Sequence, residues 1–493
     1  MPEPTLPFLP LDLPPAALWR HFATLCRLPR PSRHEGQVMD HLCRWASTRS
    51  LNWTQDAAGN LLIRKPASLG MAERETVVLQ GHVDMVCQQD GDAHDFFSDP
   101  IQPWLADDGW VRARGTSLGA DNGIGVAAML AVLESDDIAH PPLEALFTVN
   151  EEAGMDGAHD LAEDLLTGRF LLNLDTEDWG EFYIGCAGGE DVILRRQCER
   201  EPLPPEHHAW RLTVRGLCGG HSGVDIHRYR ANATRLLARL LSELAGRFGL
   251  RVGQLAGGAL RNVIPREASA TLAVPESKLE ALQHTLLDWQ KRVAATLPEW
   301  DHGLTVTLGP AQLNAVLSLH DQAVLIDLLN ALPDGMAGLS PALPDVVHTS
   351  SNLGVVSLDN GRFQAVSMVR SLSDDGLESR VASLLACGRL AGCSGVREGF
   401  YPGWTPRPES PLLALASQVY QRQHGQRPKV KVIHAGLECG ILLGKYPDLD
   451  IISFGPDIRG AHSPSERVNV ASVARFWDFL CELLAQIPAR RLD

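Results

Sequence analysis

Apolar runs that end in polar residues recur along this chain and predict a sheet with a polar edge. The run 76–79 reads Thr-Val-Val-Leu and leads into His82 and Asp84. Short runs of apolar and β-branched residues bounded by glycine and polar residues are typical of buried strands. Runs 143–149, 170–174 and 449–454 have the same character, and acidic residues or a histidine follow each of them. Open α/β sheets bind their ligands at the carboxyl ends of the strands, so these polar residues are predicted to share one site.

Other patterns place helices and a hairpin ahead of the first such strand. Residues 14–29 and 34–50 have the apolar periodicity of amphipathic helices. Residues 53–63, interrupted by Ala-Ala-Gly-Asn, predict a β-hairpin that leads to the strand of His82.

His82 and Asp84 have the spacing of two side chains on one face of a strand. Residues i and i+2 of an extended segment point the same way, so the imidazole and the carboxylate are expected together at the strand end. This arrangement is typical of a metal-binding histidine that a carboxylate orients through the other ring nitrogen. A structural histidine beside a surface aspartate would give the same local pattern.

Asp121 lies in a glycine-rich turn that precedes an apolar helix. Residues 115–127 read Gly-Thr-Ser-Leu-Gly-Ala-Asp-Asn-Gly-Ile-Gly-Val-Ala. The glycines allow a sharp turn, from which the carboxylate would project into a cavity. A glycine-rich turn before a helix also suits phosphate, but the lysine of a phosphate-binding P-loop is missing from this segment.

Glu151 and Glu152 follow the predicted strand 143–149 as adjacent carboxylates. Neighbouring side chains of an extended segment point in opposite directions, so one metal rarely takes both. One carboxylate can bind a metal while the other serves as a general base toward water. An exposed acidic helix start is the other interpretation.

Composition limits the classes of function. The chain has 493 residues, which suggests two or three domains. Its net charge of -16, without a dense basic run, argues against nucleic acid as a partner. We expect no membrane span and no signal peptide, because the apolar runs are short and the N-terminus is proline-rich rather than basic. The ten cysteines include no C-x-x-C pair, which fits a cytoplasmic location.

A change of character near residue 201 predicts an inserted domain. The run 201–205 reads Glu-Pro-Leu-Pro-Pro, a linker signal. Residues 201–395 then have an α+β pattern, while the ligand-type residues resume only after Tyr401. We therefore predict an α/β domain formed by residues 1–190 and 396–493 and interrupted by an α+β insertion at 201–395.

These motifs together closely resemble the co-catalytic di-zinc aminopeptidase and carboxypeptidase superfamily, which includes aminoacylase and carnosinase. The segments that carry the resemblance are Gly81–Val86, Leu118–Gly123, Leu172–Asp175 and His434–Gly440. Within the superfamily they look most like the cytosolic Xaa-His dipeptidases. The likeness extends over almost the whole chain, and it implies that the α/β domain is the catalytic domain, with a mixed sheet and helices on both faces.

The resemblance implies a metal site with defined roles. Two Zn²⁺ ions per subunit would be bridged by Asp121, one completed by His82 and Asp175 and the other by Glu152 and His462. Asp84 would orient His82, and Glu151 would act as the general base that activates water. A cis peptide is implied between Asp121 and Asn122. Imidazole and carboxylate ligands suit Zn²⁺, although Mn²⁺ or Co²⁺ can occupy similar sites.

The resemblance also makes the insertion a lid over the substrate. His221 would stabilise the oxyanion, Asn262 would contact substrate, and Arg370 would hold the free carboxylate of a dipeptide. Glu438, which has helical i,i+4 spacing from His434, is a candidate for binding the free amino group. A loop histidine, a turn asparagine and a surface ion pair are the alternatives for the three lid residues.

Asp175 favours one activity within the superfamily. Aspartate at this position accompanies aminopeptidase and dipeptidase activity, whereas glutamate accompanies carboxypeptidase or deacylase activity. The expected function is therefore metal-dependent hydrolysis of unblocked dipeptides, Xaa-His and others of broad specificity. The resemblance also implies a homodimer. The alternatives are an N-acyl amino acid deacylase with the same metals and a non-catalytic metal-stabilised binding protein.

Overall fold

The computed structural model describes residues 9–10, 12–91, 94–341 and 343–490, which divide into two compact units. The first unit contains the described residues up to Gly185, the segment Trp404–Val432 and the described residues from Leu437 onward. The second unit contains Cys186–Gly403 and Ile433–Gly436. The second unit thus begins ahead of the proline-rich run at residue 201.

The helices and strands have the following bounds. Before residue 187 they are α1 Ala16–Leu25, α2 Gly36–Thr48, β1 Asn52–Gln55, β2 Leu61–Lys65, β3 Val77–His82, β4 Pro103–Leu105, β5 Trp110–Ala113, α3 Ala120–Glu134, β6 Leu143–Thr148, α4 Asp156–His159, β7 Phe170–Asn173 and β8 Glu181–Cys186. From there to residue 401 they are β9 Gly188–Gln197, β10 Arg200–Pro202, β11 His207–Arg215, β12 Gly220–His221, α5 Ala233–Phe248, β13 Arg251–Gly257, β14 Val263–Ile264, β15 Ala268–Pro275, α6 Leu279–Ala294, β16 Thr305–Pro310, β17 Ala315–Leu317, α7 Leu319–Ala331, β18 Gly335–Leu339, β19 Val347–Asp359, β20 Arg362–Ser371, α8 Asp374–Leu390 and β21 Ser394–Tyr401. The remaining elements are α9 Pro411–His424, β22 Lys429–Ile433, α10 Glu438–Lys445, β23 Asp450–Ser453, β24 Ile458–Arg459, β25 Arg467–Asn469 and α11 Val470–Ala485.

The first unit is built on a mixed sheet of eight described strands, which confirms the predicted α/β class. Its strand order is β1-β2-β6-β3-β7-β23-β8-β22. The four strands β6, β3, β7 and β23 are parallel to their neighbours within this group, and the predicted hairpin β1–β2 extends the sheet in antiparallel fashion. The carboxyl ends of the four parallel strands therefore meet at one edge of the sheet, where the polar residues of the sequence follow them.

Helix α3 is the buried helix of this unit. Ala120 and residues 122–133 are all buried, and the helix packs against β3 and α1. A helix that is apolar on all sides must lie in the interior. The burial of α3 therefore holds Asp121, near its start, against the end of β3.

The second unit consists of two joined βαββαβ repeats. One repeat contains β11, α5, β13, β15, α6 and β16, with the strand order β16-β11-β15-β13. The other contains β9, α7, β19, β20, α8 and β21, with the strand order β19-β20-β9-β21. Strands β13 and β19 pair antiparallel and join the two halves into one sheet, while α5 packs against α7. The first repeat is thus inserted in sequence between β9 and α7 of the second.

No helix among the described ranges is both long enough and apolar enough to span a membrane.

Candidate metal centre and substrate-binding groups

Five ligand-type side chains of the first unit converge beyond the carboxyl ends of β3, β6, β7 and β23. Asp121 lies between two imidazoles, with its Oδ1 3.2 Å from His82 Nε2 and its Oδ2 3.3 Å from His462 Nε2. Asp175 Oδ1 lies 3.3 Å from His82 Nε2, and Glu152 Oε2 lies 3.0 Å from His462 Nε2. The cluster therefore has two halves that share Asp121, each with one histidine and one further carboxylate.

The donor set of this cluster fits a divalent metal. Donor atoms of His82, Asp121 and Glu152 lie within 4.8 Å of one another. Glu152 Oε1 is buried without a hydrogen-bond partner among the described residues. Burial raises the pKa of Asp175 to about 8, with a further increase from the charge of Asp121. Buried carboxylates that lack sufficient partners are stabilised in their charged form by a cation, and imidazole and carboxylate together are ligands typical of Zn²⁺.

The backbone around Asp121 has a special geometry. The peptide between Asp121 and Asn122 is cis, as the resemblance predicts. Asn122 donates a hydrogen bond from Nδ2 to the carbonyl of Leu174, 2.6 Å away. A Cβ at Gly81 would lie 2.3 Å from Asn122 Oδ1, so the strand end can approach this turn only because residue 81 is glycine.

Asp84 connects His82 with the two adjacent glutamates. Its Oδ1 lies 3.3 Å from His82 Nδ1, on the side of the ring opposite Asp121. The same carboxylate accepts hydrogen bonds from Ser32 Oγ at 2.7 Å and from the backbone N–H groups of Glu151 and Glu152 at 3.1 and 3.2 Å. Burial opposes the charged form of Asp84, but the nearby imidazole of His82 and the hydrogen bonds from Ser32 and the Glu151 N–H outweigh it and lower the pKa of Asp84. Asp84 is fully buried and holds both the histidine ring and the loop after β6.

Glu151 lies beside this cluster, and its carboxyl group has a raised pKa. Burial raises its pKa well above the ordinary value, and the nearby charges of Glu152, Asp175 and Glu438 add to the increase. A carboxylate beside a candidate metal centre is of the residue type that serves as a general base toward water.

Glu438 is the first residue of α10 and is almost completely buried. Its Oε2 accepts hydrogen bonds from Gln80 Nε2 at 2.7 Å and Thr148 Oγ1 at 2.8 Å. Its Oε1 has no hydrogen-bond partner among the described residues. Burial raises its pKa to about 7. His434 precedes the helix, so the i,i+4 spacing does not place these two residues on one helical face.

In the second unit, His221 ends the short strand β12, and Asn262 immediately precedes β14, with which β12 pairs. The backbone N–H of Ser222 donates to the carbonyl of Asn262 at 2.8 Å. The ring Nδ1 of His221 accepts hydrogen bonds from the N–H groups of Gly223 and Val224 at 3.2 and 3.1 Å. An Nδ1 that accepts leaves the proton of the neutral ring on Nε2, so Nε2 of His221 is a donor.

Arg370 lies near the end of β20 and is buried, with 4% of its surface exposed. Its Nη1 donates to the hydroxyl of Tyr401 at 2.6 Å, and its Nε has no hydrogen-bond partner among the described residues. A buried guanidinium with unused donors is suited to a carboxylate ligand.

His434 is a buried neighbour of Arg370 in this unit. Its Nε2 lies 2.7 Å from Ser350 Oγ. Burial lowers the pKa of His434 to about 3, and the positive charge of Arg370 contributes to the decrease. The ring is therefore neutral at physiological pH.

Several supporting residues were not found by the sequence analysis. Ser32 binds Asp84 from a loop between α1 and α2, and Tyr401 binds Arg370 from a strand 31 residues further along the chain. Neither residue has a local motif that indicates its partner. Tyr401 was noted only as part of the segment where the ligand set resumes.

Comparison with known proteins identifies relatives over almost the full length. Residues 78–486 match the family model described as Peptidase family M20/M25/M40. The chain is 44% identical over 481 residues to the cytosol non-specific dipeptidase of Escherichia coli (strain K12). The alignment covers 97% of this chain and 99% of the relative. It is 40% identical to the aminoacylhistidine dipeptidase from Vibrio alginolyticus, whose crystal structure matches with a TM-score of 0.84 over 98% of each chain. A tripeptidase from Staphylococcus aureus, 16% identical with a TM-score of 0.55 over 96% of this chain and 98% of its own, shares the fold alone.

Proposed function

The chain belongs to peptidase family M20/M25/M40, and from this premise we propose that it is a metal-dependent dipeptidase that hydrolyses unblocked dipeptides, Xaa-His among them. The Escherichia coli relative is named a non-specific dipeptidase, and the Vibrio alginolyticus relative is named an aminoacylhistidine dipeptidase. The observation that carries the proposal is the position of Asp121 between His82 and His462, each with a further carboxylate beside it.

The proposed metal ligands form two sets around Asp121. His82 and Asp175 would hold one ion, Glu152 and His462 would hold the other, and Asp121 would contribute to both sets. When bound, two divalent ions would supply Lewis-acid polarisation of the scissile carbonyl and would lower the pKa of water toward neutrality. Zn²⁺ is our first choice because of the imidazole and carboxylate ligands, with Mn²⁺ and Co²⁺ as alternatives.

Glu151 is the proposed general base. It takes a proton from the attacking water and passes it to the nitrogen of the leaving amine as the peptide bond breaks. Its position after β6, directly before Glu152, supports this role. Asp84 keeps His82 oriented by its position at Nδ1, and His221 donates from Nε2 to the oxyanion of the tetrahedral intermediate.

The proposed substrate groups select a short peptide with free ends. Arg370 binds the α-carboxylate through the donors that Tyr401 leaves unused, and Asn262 contacts the peptide. Glu438 remains the candidate for the free amino group, supported by its unpartnered Oε1.

The proposal is tested by assaying wild type and Glu151→Gln with three kinds of substrate. These are unblocked Xaa-His dipeptides, tripeptides and N-acetyl amino acids. We expect wild type to cleave the dipeptides and the variant to lose at least about 100-fold in kcat while two metal ions remain bound. Cleavage of N-acetyl amino acids alone would make the chain a deacylase. Metal binding without turnover of any substrate would support a binding protein.

Location and assembly are further proposals. We propose a cytoplasmic enzyme, since the Escherichia coli relative is named a cytosol dipeptidase. The homodimer implied by the resemblance is tested by the molar mass of the purified chain in light scattering after gel filtration.

A further inference from the structure

The turn that carries Asp121 is held from two sides by buried charged side chains that have no role in the mechanism proposed above. Gly119 has φ +68°, in the left-handed region. A Cβ at this position would lie 2.3 Å from Arg30 Nη2 and 2.9 Å from Met85 Sδ. The turn is therefore closely packed, and only glycine fits it.

Glu466 binds this turn from the side of the backbone N–H groups. Its Oε2 accepts from the N–H groups of Leu118 and Gly119 at 2.7 and 2.9 Å. Its Oε1 accepts from those of Ala120 and Asp121 at 2.8 and 3.2 Å. One carboxylate thus satisfies four consecutive backbone donors of the turn that leads into α3, where the non-helical dihedral angles of Asp121 and Asn122 interrupt the regular helix.

Arg30 binds the same turn from the side of the carbonyl. Its Nη2 donates to the carbonyl of Gly119 at 2.6 Å. Its Nη1 donates to the carbonyls of Val83 and Asp84 at 2.9 and 3.2 Å. Arg30 and Glu466 are both only 2% exposed, so the Gly119 residue lies between two buried opposite charges.

Each of the three segments joined in this way contributes to the candidate metal centre. Arg30 contacts the backbone just after His82, and the turn at Gly119 leads directly into Asp121. Glu466 lies four residues after His462 on the same loop. Fixing these backbones against each other fixes how far apart the two histidines lie on either side of Asp121.

We propose that Arg30 and Glu466 are positioning residues that clamp the Gly119 turn and thereby set the geometry of the metal ligands. This inference rests on the proposed metal centre. A neutral side chain cannot replace Glu466, because glutamine offers one acceptor oxygen and would aim its NH₂ group at two backbone N–H donors. Lysine cannot replace Arg30, because a single ammonium lacks the planar fork that reaches three carbonyls.

The test compares Glu466→Gln with Glu144→Gln as a matched control. Glu144 is equally buried and also accepts from two backbone N–H groups, those of Thr167 and Gly168 at 2.8 and 2.9 Å. It lies on β6 near the amino end of the strand, whereas the candidate metal centre lies beyond the carboxyl end. Glu466→Gln loses two backbone acceptor positions whichever way its amide turns. Glu144→Gln loses either its two backbone acceptor positions or those that accept from Arg64 Nε and the Thr167 hydroxyl. Each variant thus loses one acceptor oxygen of a buried carboxylate, but only Glu466→Gln touches the turn of Asp121.

The readout is the affinity of the full-length, metal-stripped chain for Zn²⁺, titrated in competition with a chromophoric chelator. We expect Glu466→Gln to weaken at least one of the two sites by tenfold or more, and Glu144→Gln to stay within about twofold of wild type, even if their Tm values fall similarly. Arg30→Lys should weaken Zn²⁺ binding in the same direction and serves if Glu466→Gln does not fold.

Three results would count against the clamp. Wild-type Zn²⁺ affinity in both Glu466→Gln and Arg30→Lys would overturn it and leave the proposed function standing. Equal losses in Glu466→Gln and Glu144→Gln would also overturn it, since general destabilisation would then explain both. A wild-type chain that binds no Zn²⁺, Mn²⁺ or Co²⁺ would overturn the proposed metal centre and the clamp together.

Discussion

Asp84 Oδ1 lies 3.3 Å from His82 Nδ1, on the opposite side of the imidazole from Asp121. This relationship assigns the two ring nitrogens different tasks. Nδ1 faces a fully buried carboxylate that keeps the ring oriented, and Nε2 faces the shared aspartate of the candidate metal centre. A carboxylate behind a ligating histidine commonly raises the basicity of the ring and fixes its tautomer.

Replacing this carboxylate by an amide should impair the centre. In Asp84→Asn, the new NH₂ group would face the Ser32 hydroxyl and backbone N–H groups, which donate to Asp84 in wild type. We expect a 10- to 100-fold loss of metal affinity or kcat/KM, of the order known for such outer residues. Asp450→Asn is the control, because Asp450 also accepts from a hydroxyl and a backbone N–H, near the start of β23. A similar loss in both variants would contradict a specific role for Asp84.

Removal of metal should destabilise the folded chain. Asp121, Glu152 and Asp175 bring carboxylates close together in a buried site, and a bound cation offsets their desolvation and repulsion. Ligand binding to the folded state adds about 2.7 kcal/mol at a free concentration of 100 Kd. Chelation should therefore lower Tm, and added Zn²⁺ should restore it in a concentration-dependent manner. Asp121→Asn should abolish most of this restoration, and an unchanged response in that variant would contradict its central position.

The candidate site could be predicted from sequence to the extent that its residues follow recognisable local patterns. His82 and Asp175 come directly after short apolar strands, and Asp121 begins a helix after a glycine-rich turn. Parallel strands whose carboxyl ends meet at one edge bring such residues together without further information. The strand order that makes β3 and β7 neighbours is shown only by the structure.

The supporting interactions could not be predicted because they depend on contacts between distant parts of the chain. Glu466 accepts from the N–H of Leu118 across 348 positions in sequence, and Arg30 reaches Gly119 across 89. Nothing near either residue indicates its partner. The two repeats of the second unit could not be recognised in the sequence for a related reason. One repeat is inserted between β9 and α7 of the other, so strands that are neighbours in the sheet are far apart in sequence.

The environment of Arg370 predicts a preference for free carboxylates. Arg370→Lys removes the planar guanidinium, which can donate two hydrogen bonds to one carboxylate. We expect KM for a dipeptide to rise by tenfold or more, while KM for its C-terminal amide changes little. Tyr401→Phe removes the hydroxyl that accepts from Arg370 Nη1 and should raise KM in the same direction by a smaller factor. Tyr420→Phe, at another buried tyrosine, is the control. Equal effects on acid and amide would show that Arg370 does not recognise the carboxylate.

Buried His434 should make the stability of the chain depend on pH. Burial lowers its pKa from 6.5 to about 3, so between these values the unfolded chain binds a proton that the folded chain does not. Its contribution to stability is therefore complete above pH 6.5 and is lost as the pH falls toward 3, by up to about 1.4 kcal/mol per pH unit. In metal-stripped protein, Tm of His434→Gln should fall less steeply than that of wild type between pH 6.5 and 4.5. His284→Gln, at an exposed position on α6, should keep the wild-type slope. Parallel Tm curves for His434→Gln and wild type would mean that His434 takes up its proton equally in the folded and unfolded states.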